Sequence, residues 1–145
     1  MLSIFILINF IVSALSDICL NFLSRFKISP AAVRALQPYF DKQSTLVSAS
    51  YAGLTVVTVL LITMLISKLV FKFSHPTSLI QLGLFLLIAA PIGYLADVFI
   101  YYFQVFGDSL NDYYKKAGTG FWGSAAFVFS IIFSFLITRL VMYRL

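Results

Sequence analysis

Residues 45–71 read TLVSASYAGLTVVTVLLITMLISKLVF, twenty-seven positions with a single charge, Lys68, close to the end. A hydrocarbon core about 30 Å thick is crossed by roughly 20 helical residues rising 1.5 Å each. The run is long enough to span with some tilt. Barrel strands would be nearer ten residues of alternating polarity, and no alternation is present. The stretch therefore predicts a transmembrane helix, and the rest of the chain repeats the pattern. Similar apolar runs cover residues 2–24, 77–103 and 117–142. The predicted class is an all-α integral membrane protein, one domain over residues 1–145, built as a four-transmembrane-helix bundle.

Composition agrees with that class. Of 145 residues, 61% are hydrophobic and 10% charged, with a mean hydropathy of +1.02. Soluble domains carry roughly a quarter charged residues, and a chain this short could not bury so much apolar surface in water. The net charge of +5 sets ten Lys and Arg against five Asp, with no Glu. The basic residues stand singly or in pairs at the ends of apolar runs, where they reach headgroups. They form no patch that suggests nucleic acid. Cys19 is the only cysteine, which excludes an intrachain disulfide and paired-thiol chemistry. The first sixteen residues lack the positively charged start of a signal peptide, so they are read as membrane helix.

Three connections remain. In residues 25–44, Ser29-Pro30 reads as an N-cap followed by proline in the first turn. It predicts a short interfacial helix over 31–37, stopped by Pro38, with Val33, Leu36 and Phe40 on its apolar side. Residues 72–76 read as a tight turn. In residues 104–116, Asp108 is a candidate N-cap, and Asp112 and Lys116 stand at pairing distance on a helix. Four spans put both termini on one side. The face of the first and third connections carries Arg25, Lys27, Arg34, Lys42, Lys115 and Lys116, against Lys68, Lys72, Arg139 and Arg144 opposite. The positive-inside rule then predicts connections 25–44 and 104–116 to be cytoplasmic. Tyr101, Tyr102, Tyr113 and Tyr114 mark the boundary as belt residues.

Lipid tails do not drive helices together, so small residues and interhelical hydrogen bonds must. Each run has such a stripe: Asn9, Ser13, Ser16, Asp17 and Ser24; Ser48, Ala49, Ala52, Gly53 and Thr55; Gly83, Ala89 and Gly93; Thr119, Gly123, Ala126, Ser130, Ser134 and Thr138. Gly53, Gly93, Gly120 and Gly123 are the predicted packing glycines. Pro91 removes a backbone hydrogen bond inside the third run and predicts a kink near residues 87–91, with the Leu87 carbonyl released.

Asp17 and Asp97 are the candidate functional residues. The first and third runs point the same way, so both carboxylates fall at similar depth, toward the face of the first and third connections. Tyr51, Thr55 and residues 119–124 are expected at that level, giving a candidate polar cluster of Asp17, Asp97, Tyr51 and Thr55. Ionised Asp in a bilayer is costly, so each must point into the bundle or toward headgroups. The sharper reading is a proton or cation relay; the plainer one is two carboxyls held by Tyr, Thr or Asn donors. Gly118-Thr119-Gly120-Phe121-Trp122-Gly123 matches G-x-G-x-x-G, but no strand precedes it and a membrane helix follows, so it predicts no nucleotide site. His75 stands alone in a turn, short of the three or four ligands a metal needs. No Ser-His-Asp set is in view. Neither catalysis nor a cofactor or metal is expected.

The stretch Phe106-Gly107-Asp108-Ser109-Leu110-Asn111-Asp112-Tyr113-Tyr114-Lys115-Lys116, continuing as Ala117-Gly118-Thr119-Gly120-Phe121-Trp122-Gly123-Ser124-Ala125-Ala126-Phe127, resembles small hydrophobic membrane proteins of nucleocytoplasmic large DNA viruses, of the algal-virus and mimivirus kind. Tyr51-Ala52-Gly53-Leu54-Thr55 and Pro91-Ile92-Gly93-Tyr94-Leu95-Ala96-Asp97 are similar to other parts of the same group. The resemblance covers about residues 45–135 and brings no activity with it. It implies a virion inner-membrane or minor capsid protein, in the bilayer beneath an icosahedral capsid and in contact with capsid or other membrane proteins. The expected role is structural: anchoring the internal membrane against the capsid. The alternative is a small oligomeric channel, holin-like pore or carrier subunit using Asp17 and Asp97, and homo-oligomers suit either.

Overall fold

The computed structural model describes residues 2–144, Arg144 by its backbone alone. That side chain, counted above among the basic residues, lies outside the described set. Seven helices follow in order: α1 (Leu2–Leu23), α2 (Ala31–Arg34), α3 (Gln37–Asp41), α4 (Thr45–Phe71), α5 (Leu79–Tyr102), α6 (Asn111–Ala117) and α7 (Phe121–Arg144). Among the described residues there is no strand, and α1, α4, α5 and α7 are each long and apolar enough to cross a membrane. The chain is an all-α membrane bundle.

The bundle buries polar residues beside apolar ones and leaves many apolar residues on its outside. Asn9, Ser48, Thr63, Ser67 and Ser134 have no exposed surface, while Leu7, Leu15, Leu54, Leu65, Leu69, Leu87 and Phe129 are more than half exposed. Leu, Ile and Phe on the outside meet lipid at no desolvation cost, and hydroxyls and amides inside meet one another.

Packing is a closed ring. Helix α1 lies against α4 and α7, and α5 lies against the same two, so α1 and α5 stand diagonally opposite. The two halves of the ring differ. Toward the α4–α5 turn, Phe5, Leu60, Met64, Leu82, Phe85, Phe127, Ile131 and Phe135 interlock in a tight apolar core. Toward the other end the helices part around a cavity. That end is covered by α2, α3 and α6: α2 packs on α6, and the Tyr39 ring meets Phe106 at 5.8 Å.

Several local expectations need correction. The short helix 31–37 is two helices, because Pro38 falls in the first turn of α3, where a missing N–H costs nothing; it opens a helix here and does not stop one. Ser29 is no cap: its hydroxyl donates to the Leu23 carbonyl at 2.6 Å, closing the end of α1. Asp108 does not cap α6, whose N-cap is Leu110 with no side-chain bond. Asp112 and Lys116 form no ion pair; the one among the described residues is Arg25–Asp41 at 2.8 Å. The fourth span begins at Phe121 and not at 117, since Gly118 (φ 78°) and Gly120 (φ 93°) take left-handed backbone that breaks the helix into α6 and α7. Pro91 lies inside α5, which is α-helical on both sides of it, and having no N–H it leaves the Leu87 carbonyl without that backbone partner.

Candidate functional site: two carboxylates at a cavity

The buried residues of α1 are Phe5, Asn9, Ser13, Asp17 and Asn21, an unbroken series at every fourth position. A helix turns about 100° per residue, so each step of four advances the stripe by about 40°. The stripe therefore winds from one neighbour to the other. Its first half faces α7, where Asn9 Nδ2 donates to Ser130 Oγ at 2.8 Å and Ser134 Oγ at 3.2 Å, and the Ser13 and Ser130 hydroxyls are 3.2 Å apart. Its second half faces α4. There Ser48 Oγ donates to Asp17 Oδ2 at 2.6 Å, and Asn21 Nδ2 reaches Thr45 Oγ1 at 3.4 Å. Asn21 Oδ1 in turn accepts from Arg25, whose guanidinium pairs with Asp41 of α3.

Asp97 is held differently. Its Oδ2 accepts the backbone N–H of Gly120 at 2.7 Å, and its Oδ1 accepts the Tyr114 hydroxyl at 3.2 Å. Gly120 stands just before α7, so the carboxylate sits where the free amides and positive dipole end of that helix favour an anion. Glycine is required twice here. A Cβ on Gly120 would enter the Tyr94 ring, and one on Gly123 would lie 2.5 Å from Asp97 Cβ and Cγ. The G-x-G-x-x-G match is thus accounted for by a helix break and a close approach. Asp97 also acts on α6: burial, then the Asp97 charge, push the Tyr113 hydroxyl up to about 12 and raise that of Tyr114. Tyr39 of α3 is raised by burial and then by Asp17.

Both carboxylates line one cavity of about 360 Å³, between the diagonally placed α1 and α5. Each has its own donor. Thr55 also lines the cavity. Tyr51 does not: it is 43% exposed and its ring lies 6.2 Å from Phe106. About 60° of helix rotation separates Tyr51 from Ser48, which puts the serine on the carboxylate and the tyrosine outside. Gly53 packs under the Phe10 ring and Gly93 against Phe127 and the Ser124 backbone, joining α4 to α1 and α5 to α7. Among the described residues nothing comes within 4 Å of a Cβ on Gly83. Sequence reasoning named Ser48 and Tyr114 only as packing and belt residues. Their hydrogen bonds to the two aspartates depend on how α4 and α6 are rotated, for which the sequence carries no signal. Comparison with protein-family models, with curated proteins and with solved structures found no match.

Proposed function

We propose that this chain is a structural membrane protein that anchors a virion's internal membrane against its capsid, binding capsid or other membrane proteins through the α2–α3–α6 end. The supporting observation is asymmetry. One end of the bundle carries a folded cap with exposed Arg34, Lys42, Lys115 and Lys116, and at the other end the connection among the described residues is the turn between α4 and α5. A chain that ties a bilayer to a protein layer needs one such face. The charge bias of the connections favours a cytoplasmic cap. The carboxylates fit the role as ties: Asp17 joins α1 to α4, and Asp97 joins α5 to α6 and α7. Mass spectrometry of purified particles should find the chain at a fixed ratio to capsid proteins. Its absence from particles, with the chain left in cell membranes, would overturn the proposal.

The second reading, a small channel, holin-like pore or carrier subunit, is favoured by the cavity that both aspartates line. Ion flux into liposomes that depends on Asp17 and Asp97 would support it. Flux unchanged in the double Asn variant would count against it.

A further inference from the structure

We infer that the cavity is a binding site for a monovalent organic cation with an apolar body, with Asp17 as its counter-charge. The inference goes beyond the anchoring reading, and it supplies a ligand class for the transport reading without requiring transport.

The cavity's volume, about 360 Å³, lies within the range of roughly 300–1,000 Å³ common for small-molecule sites. Among the described residues its wall contains two carboxylates and no Lys, Arg or His, and neither carboxylate belongs to the ion pair found among them. The two acids are not equivalent. Asp97 has a donor on each oxygen. Asp17 is only 9% exposed, and Ser48 serves its Oδ2; no donor among the described residues reaches its Oδ1. A largely buried carboxylate with one oxygen free of protein donors on a cavity wall offers a counter-charge to a positive partner.

The remaining wall decides what kind of cation. A small inorganic cation needs several oxygen ligands. The wall's oxygens are few beside its apolar groups, for Val12, Leu20, Val56, Val59 and Ile100 line it together with alanines and phenylalanines. A neutral acyl chain would satisfy the apolar wall and leave the carboxylate uncompensated. A body of apolar groups around one positive charge satisfies both, and Phe127, Phe129 and Phe133 are among the residues that line the wall.

The test is equilibrium dialysis of tetraphenylphosphonium against the chain in nanodiscs of zwitterionic lipid, with empty nanodiscs as background. Saturable binding at one per chain is expected, unchanged in Gly83→Ala, which faces open space away from the cavity. Asp17→Asn should weaken it at least about tenfold, as loss of a charge-assisted contact does. Ala126→Leu, which places a larger side chain on the cavity wall, should weaken it as well, and it decides the matter if Asp17→Asn does not fold. No saturable binding by the unaltered chain would overturn the inference. So would binding that is undiminished in the folded variants, or equal competition by neutral triphenylphosphine oxide, which would mark an apolar pocket only.

Discussion

Gly123 approaches Asp97 so closely that any side chain must displace the carboxylate from the Gly120 amide and the Tyr114 hydroxyl. Gly123→Val should therefore destabilise the bundle by about 1–3 kcal/mol, the usual cost of overpacking, measured by thermal unfolding in detergent. Gly83→Ala should be neutral, or stabilising by up to about 1 kcal/mol, because nothing lies near and alanine is the better helix former. Both glycines read alike in the sequence, as small residues on a stripe; only the facing helix separates them. Tyr113 gives a pH test. Its folded value, about 12, exceeds the ordinary 10.0, so between those values the unfolded chain loses a proton that the folded chain keeps. Stability should fall as pH rises from 10 toward 12. Absorbance titration of phenolate should show this group ionising late, and Asp97→Asn should make it ionise earlier.

At the scale of elements, the long helices were legible because length and apolarity are local properties; their starts were less so, for α5 begins at Leu79 and α7 at Phe121 where the runs predicted 77 and 117. Ser44 accepts from the Val47 amide, and Ser78 from the Gln81 amide, while Gln81 Oε1 accepts from the Thr77 amide and hydroxyl. Ser78→Ala should cost about 1 kcal/mol by thermal unfolding, the worth of an N-cap. The cap helices were less legible. Pro38 and the Gly118–Gly120 segment each permit two readings, stop or start, helix or break, and tertiary contacts chose. Tyr39, Phe40 and Tyr114 are buried beneath the cap, which rewards a short α3 and a separate α6 over one longer helix.

For the whole molecule, four spans place residues 27 and 112 at one end and residue 77 at the other. In a Cys19→Ser background, Lys27→Cys and Asp112→Cys should react with an impermeant maleimide from the same side of sealed vesicles, and Thr77→Cys only from the opposite side. Any other pattern would refute four spans. That Asp17 and Asp97 stand near corresponding ends of α1 and α5 was readable, because chain direction alternates from span to span. That both line one cavity between diagonally placed helices was not, because ring order depends on lateral packing. Asn9→Ala should weaken the closure of the ring between α1 and α7 by about 0.6–1.7 kcal/mol, the range for hydrogen bonds between membrane helices, read by unfolding in mixed micelles.

The stripe on α1 also sets a timetable for synthesis. Asn9 leaves the ribosome early, yet its serine partners lie 121 and 125 residues downstream. Until α7 arrives, an amide and a hydroxyl on α1 are without their native contacts in the bilayer, a costly arrangement for a free segment. The nascent first helix is accordingly expected to be sheltered, by an insertase or by its neighbour α4, until the last one joins. A chain halted before α7 should be held there or handed to quality control, and crosslinking at position 9 during translation would trap whatever shelters it.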